Sequence, residues 1–163
     1  MKKKLTRQGW VKGCKKRGEW AELCFMAKAA GMGLSVSKPH GDSCRYDVLV
    51  ENGERILRVQ VKSTIYRRRG NEYSLNVMGP GRKRYQEGTV DFFAVYLIPV
   101  DEWYIIPYAA LGKKLTVHLA PGGARQKYRR YREAWGLLCP KRETIEIWAC
   151  VDPEFEGSGR AGV

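Results

Sequence analysis

YDVLVENGERILRVQVKST, residues 46–64, is the stretch whose reading decides the fold. It divides into an acid flanked by apolar residues (Tyr46 to Val50), a polar break (Glu51-Asn52-Gly53-Glu54) and an alternating run from Ile56 to Lys62. Asn-Gly between two β-prone runs predicts a hairpin, because both residues tolerate the backbone angles a tight turn requires. Asp47 then begins one strand, and Gln60 and Lys62 lie near the end of its antiparallel partner. Side chains alternate along a strand, so Gln60 and Lys62 share one face while Val59 and Val61 take the other. Such a hairpin gathers an acid, an amide oxygen and an ammonium at one end of a sheet. That is the minimum equipment for holding a divalent metal beside a phosphate.

The chain around it has 163 residues, enough for one domain with a sizeable core. Lys and Arg number 30 against 17 Asp and Glu, a formal charge of +13, so a polyanionic partner is expected, nucleic acid above all. No run approaches the roughly 18 apolar residues of a membrane span, and no signal peptide is visible. Five cysteines without a CxxC pair point to free thiols in a reducing cytoplasm. His40 and His118 are the only histidines, too few for a Cys/His zinc site or for histidine-based nuclease chemistry.

Residues 1–17 read as a basic arm, 18–151 as a single domain, and 152–163 as a disordered tail. The pattern from Gly18 to Ala30 predicts a helix with Leu23, Met26, Ala27 and Ala30 on its buried face, stopped by Gly31 and Gly33. Glu22 lies on that helix, one turn beyond Glu19. Strands are expected over 34–37, Tyr73–Met78, Trp103–Ile106 and 145–151, and the apolar run Asp91–Pro99 reads as a strand buried on both faces. A short helix is expected after Pro107 and a longer one over Ala124–Leu138, where Trp135 packs while Tyr128 and Tyr131 are open between packing and base stacking. Together these elements predict a mixed α/β domain, a central sheet flanked by helices. The turn Arg67-Arg68-Arg69 and the loop Arg82-Lys83-Arg84 are candidate contacts to phosphates of a DNA backbone.

Taken singly, Asp47 and Lys62 are ordinary strand residues; taken together, with Glu22 upstream and the high positive charge, they read as a phosphodiester-cleaving site. Asp47 is the central ligand, the Gln60 side-chain oxygen and the Val61 backbone carbonyl complete the protein's share with waters filling the octahedron, and Glu22 binds through water or helps hold a second ion. Lys62 orients or deprotonates the attacking water and offsets the charge that builds on the phosphate.

The order of a Glu-bearing helix, an Asp, a hairpin and a terminal lysine resembles the PD-(D/E)XK nuclease superfamily. GEWAE (18–22), RYDVLV (45–50), RVQVKST (58–64), DFFAVYLIPVDEWYIIP (91–107) and a YREAW helix (131–135) look like the small bacterial endonucleases related to the intron-encoded homing enzyme of that fold. The resemblance implies a restriction-endonuclease-like α/β core with a central mixed sheet, and Mg²⁺ (Mn²⁺ as a substitute) as cofactor. It also implies double-stranded DNA as partner, hydrolysis through a metal-activated water that leaves a 5′-phosphate, and a homodimer or homotetramer. On it, Asp47 matches the metal-binding acid, Lys62 the catalytic lysine and Glu22 the helix acid. Two positions depart from the superfamily pattern: Tyr46 replaces the proline, and Gln60 stands where most members carry Glu or Asp. A silent DNA-binding module of the same fold, and an RNA-binding accessory protein, are the rival readings.

Overall fold

A computed structural model of the chain describes residues 11–41, 43–123 and 126–140, apart from the side chain of Arg69. The expected strand over 145–151, the tail, and the first ten residues of the basic arm lie outside the described residues. In chain order the elements are helix α1 (Cys14–Ala30), strands β1 (Ser35–Ser37), β2 (Val48–Glu51), β3 (Ile56–Thr64), β4 (Tyr73–Asn76), β5 (Phe92–Leu97) and β6 (Glu102–Pro107), helix α2 (Tyr108–Leu111) and strand β7 (Thr116–Leu119).

The hairpin forms where the Asn-Gly pair places it. Gly53 adopts φ 83°, a left-handed angle that disfavours any residue with a Cβ. Asn52 is buried and satisfied: its Oδ1 accepts the backbone N–H groups of Glu54 (3.2 Å) and Arg55 (3.1 Å), and its Nδ2 donates to the Leu138 carbonyl (3.0 Å). β2 and β3 pair antiparallel with Val48 opposite Val59, and β3 pairs on its other edge with β5, parallel, with Gln60 beside Phe93. The mixed sheet has the order β1-β2-β3-β5-β6.

Alternation along β3 and β5 gives the sheet two apolar faces. Leu57, Val59, Val61, Phe92, Ala94 and Tyr96 face α1, while Phe93, Val95 and Leu97 face a layer built from the β4–β7 ribbon and α2. β5 is buried along its whole length, as its unbroken apolar sequence predicts.

α1 differs from its expected form in two respects. It begins at Cys14 rather than Gly18, because Gly13 at φ 86° supplies the turn into it. Its buried row is Arg17, Ala21, Phe25 and Ala29, whereas Leu23 is 61% exposed and Ala27 and Ala30 lie outside. The physical reason is Phe25, whose ring packs 5.8 Å from Trp103 and 5.5 Å from Trp135. The small side chains of Ala21 and Ala29, one turn to either side, let the helix come down close enough for that contact. No helix among the described residues is long and apolar enough to cross a membrane.

The expected helix over 124–138, with its YREAW segment, is corrected. Residues 129–131 and 135–137 form separate 3₁₀ turns, divided by Glu133 at φ 50°. β6 is an edge strand whose outer N–H and C=O groups need partners, and an α-helix has none to spare. The segment supplies them by running extended: Arg132 bridges to Tyr104, Glu133 N–H donates to the Trp103 carbonyl (2.8 Å), and the Glu133 carboxylate accepts the Trp103 N–H (2.7 Å). Glu133 Oε2 also accepts from Trp135 Nε1 (2.8 Å) and Lys28 Nζ (3.0 Å), tying α1 and β6 to one carboxylate. Burial opposes ionisation of Glu133, but these donors outweigh it and hold the carboxyl below its usual range. Trp135 packs as expected, and Tyr128 and Tyr131 are buried too.

A carboxyl with a lowered folded-state pKa contributes stability that is present above its unfolded value and lost as pH falls through the folded one. Glu133→Ala is therefore expected to cost about 1–3 kcal/mol in urea unfolding at neutral pH, since it strands the Trp103 N–H. The difference from wild type should shrink in acid. Equal stability of the two proteins at pH 7 would show that the clamp carries no weight.

Candidate active site

Asp47 directly precedes β2, whose first residue, Val48, pairs with Val59. The Asp47 N–H donates to the Val59 carbonyl (2.9 Å), so the chain leaves the regular ladder here with Asp47 still held against β3. Its carboxylate turns back onto β3, where Oδ2 accepts the Val61 N–H (2.8 Å) and the Gln60 side-chain amide. Lys62 follows two residues after Gln60 on the same face, half-buried, close enough for its ammonium to act on Asp47.

In an antiparallel ladder a residue directs its N–H and C=O to the same edge. Val61 sends its N–H toward Asp47, so its carbonyl also faces that edge, just beyond the point where β2 begins. The amide of Gln60 spends its nitrogen on Asp47 and keeps its oxygen for another partner. The Gln60 amide, the Val61 backbone and the Asp47 carboxylate thus meet at the end of the hairpin.

α1 covers the opposite face of the sheet, so Glu22 meets Asp47 only at the rim. Both line a cleft of about 350 Å³, together with Lys38, Tyr46 and the start of α1. Lys38 forms an ion pair with Glu22 at 2.6 Å and also feels the charges of Asp47 and Glu19. Nothing in the sequence marked Lys38, which is one loop lysine among 30 basic residues until the fold lays it against Glu22. Burial raises the Asp47 carboxyl above its ordinary range and the Glu22 charge adds to the rise, against the Val61 N–H, Lys62 and the Gln60 amide.

Such a site fits a hard divalent cation. Among the described residues no three His, Cys, Asp or Glu side chains form a metal-holding group, so a cation here relies on two carboxylates and neutral oxygens, the donor type that Mg²⁺ prefers. The half-buried, mutually repelling pair of Asp47 and Glu22 carries negative charge that such an ion would neutralise.

Of the other candidate residues, Arg67 and Arg68 are exposed in the turn that leaves β3 beyond Thr64, and Arg69 belongs to the same turn. Arg82, Lys83 and Arg84 are exposed in the loop between β4 and β5. Tyr85, next in that loop, was not marked by the sequence. Its buried hydroxyl is pushed up to about 12, by burial first and then by the Asp47 charge, so the loop passes near the site.

A mixed sheet whose central hairpin ends in an acid, an amide and a lysine, backed by an acid-bearing helix, is the architecture of a restriction-endonuclease-like nuclease. The sequence agrees: residues 13–138 match the PD-(D/E)XK endonuclease family, and the chain belongs to it. The bacterial homing endonuclease I-Ssp6803I is similar in structure, with a TM-score of 0.65 and 28% identity, over 78% of this chain and 92% of that one. Hjc, a Holliday junction resolvase from Archaeoglobus fulgidus, is more distant at a TM-score of 0.46 and 15% identity, over 77% of this chain and 99% of that one. No curated protein matches the chain in sequence. Nucleases of this family generally use divalent metals.

The raised folded-state pKa of Asp47 has a consequence for stability. The folded chain holds that proton more tightly than the unfolded chain, so the stability it contributes is complete below the unfolded pKa and is lost as pH rises through the folded one. Asp47→Asn, which keeps both hydrogen bonds available, should therefore melt a few degrees higher than wild type at pH 7 in EDTA and show little difference at pH 3. A lower melting temperature at pH 7 would contradict the electrostatic account of the site.

Proposed function

We propose that the protein is a metal-dependent DNA endonuclease, with Mg²⁺ as the natural ion and Mn²⁺ as a substitute. The observation that carries the reading is the convergence of Asp47, Gln60, the Val61 carbonyl and Lys62 at one end of a hairpin, with Glu22 in the same cleft. Asp47, Gln60 and the Val61 carbonyl would hold the ion, with Glu22 as an outer or second ligand. When bound, the ion supplies positive charge at the phosphate and a water of lowered pKa.

The chain's own residues do the rest. Lys62 directs its ammonium at the attacking water and at a non-bridging phosphate oxygen, orienting the first and offsetting charge on the second as the phosphorane forms. Asp47 is oriented by the Val61 N–H and the Gln60 amide before substrate arrives. The water oxygen gives up a proton to solvent and bonds to phosphorus as the bond to the 3′-oxygen breaks. The 3′-oxygen takes up a proton from solvent, leaving a 5′-phosphate and a 3′-hydroxyl.

The formal charge of +13 supports a polyanionic substrate. The similarity to a homing endonuclease supports DNA as that substrate. Burial of Tyr128 and Tyr131 removes the exposed aromatics on which base stacking in the RNA-binding reading rested. One site faces one strand, so cutting a duplex calls for two copies, as a homodimer or homotetramer.

Incubating the protein with plasmid and genomic DNA, with Mg²⁺ or EDTA, tests this reading. Cleavage is expected only with the metal, and Lys62→Ala should lower its rate by at least about 100-fold. Binding to DNA without cleavage in either Mg²⁺ or Mn²⁺ would favour a silent module instead. Gln60→Glu places a second carboxylate against Asp47 and removes a donor. It should bind Mg²⁺ more tightly than wild type by calorimetry and be less stable in EDTA; unchanged affinity would remove Gln60 from the ligand set.

A further inference from the structure

A second cleft, of about 220 Å³, is lined by Arg45, next in the chain to the Cys44 and Tyr46 that, with Asp47, line the first. Arg45 forms one wall, and Lys83, Arg84, Tyr85, Gln86 and Thr89 form the other. Arg45 lies two residues before Asp47. The Tyr85 hydroxyl feels both the Asp47 charge and the Arg45 charge, which joins this cleft to the site through one side chain. Among the described residues no acidic side chain lines it. Among the described residues, Arg45, Lys83 and Arg84 form no ion pair, although Arg17, Lys28, Lys38, Arg58 and Arg132 all find partners.

Three like charges facing one cleft repel one another, so their placement is enforced by the fold. The loop holding Lys83 is closed by its own backbone: Gly79 N–H donates to the Lys83 carbonyl (2.8 Å), and Gly81 and Arg82 take left-handed angles. Tyr108 donates its hydroxyl to the Tyr85 carbonyl, and its ring lies 5.7 Å from the Arg84 guanidinium. Thr89 caps the Gln86 carbonyl through N–H (3.2 Å) and Oγ1 (2.7 Å), and the next turn is pinned by Arg58, which donates to the Gly88 carbonyl and chelates Asp91. Walls fixed in this way around unpaired cations suit a tetrahedral anion better than a flexible side chain.

We infer that Arg45, Lys83 and Arg84 form a phosphate subsite that grips the nucleic-acid backbone beside the bond being cut. This deepens, and rests on, the endonuclease reading of the Asp47 site. The subsite positions substrate: it fixes the path of the strand so that the neighbouring phosphate falls at Asp47 and Lys62. It also gives Arg45, to which the sequence pattern assigns no role, a defined task.

Two measurements on the full-length protein test it. In EDTA, titration with inorganic pyrophosphate followed by amide NMR should give saturable shifts at Arg45, Lys83, Arg84 and Gln86. Those shifts should vanish in Arg45→Ala/Lys83→Ala, whose thermal melt confirms that it is folded. Non-saturating shifts spread over the basic surface would overturn the subsite. The second measurement is duplex DNA binding against salt concentration. Each phosphate contact contributes a slope of about 0.9, so the double variant should lose about 1.8 from the slope of log K against log salt. An unchanged slope with intact wild-type binding would overturn the subsite and leave the nuclease reading in place. Failure of the wild type to bind DNA, with local pyrophosphate binding preserved, would overturn the nucleic-acid reading of both clefts.

Discussion

β3 is bonded along both edges and packed on both faces, yet it carries Arg58, Gln60 and Lys62. A polar group in that position destabilises the fold by about 1–3 kcal/mol unless it finds a partner. Each of the three has one, and the partners define the rest of the molecule. Arg58 is chelated by Asp91, at 2.9 and 3.0 Å, which fixes the start of β5. Gln60, only 6% exposed, donates to Asp47 and so fixes the start of β2. Lys62 is half-buried and faces the Asp47 charge. The Gln60–Asp47 hydrogen bond that makes the central strand tolerable is also the one that assembles the site.

The opposite face of β3 needs no such provision. Leu57, Val59 and Val61 meet Phe25, and Phe25 meets Trp103 and Trp135. Trp103 in turn stacks on Tyr96 with centroids 4.3 Å apart and planes within 6°. Such ring pairs add about 0.5–1.5 kcal/mol each beyond the area they bury. This face sets the pitch of α1 against the sheet, and with it the reach of Glu22. Packing on the apolar side therefore governs the geometry of the polar side, which is how a substitution far from Asp47 could still alter the site.

The hairpin and its face assignments were legible because they depend on local chemistry: an Asn-Gly turn and strict alternation around Val59 and Val61. β5 was legible from its unbroken apolar run. Other features depend on partners distant in the chain. The buried row of α1 is chosen by Trp103 and Trp135, which the helical spacing of Leu23, Met26, Ala27 and Ala30 does not report. Segment 126–140 has helical composition, but the open edge of β6 claims its backbone, and Glu133 adopts a left-handed angle to satisfy Trp103. β7 is four residues of ordinary composition whose strand character comes from β4 beside it. At the site, Asp47, Gln60, Lys62 and Glu22 stood out by type and spacing. Lys38, Arg45 and Tyr85 did not, because loops bring them in and no periodicity marks a loop residue.

Charge balance explains how the two acids coexist without an ion. Glu22 and Asp47 contribute two negative charges to one cleft, and Lys38 and Lys62 contribute two positive ones. The Lys38–Glu22 pair is the more exposed, with the lysine side chain 46% accessible, and pairs of that kind contribute only about 0–1 kcal/mol. Lys38 is thus a weakly held counter-ion for Glu22, while Lys62 is carried by the central strand. Asp47 accepts from the Val61 N–H and donates its own N–H to the Val59 carbonyl, bonds that involve neither lysine. Glu22 therefore has a weak, exposed partner and Asp47 a fixed set of donors, so the two acids of one cleft are compensated by contacts of different strength.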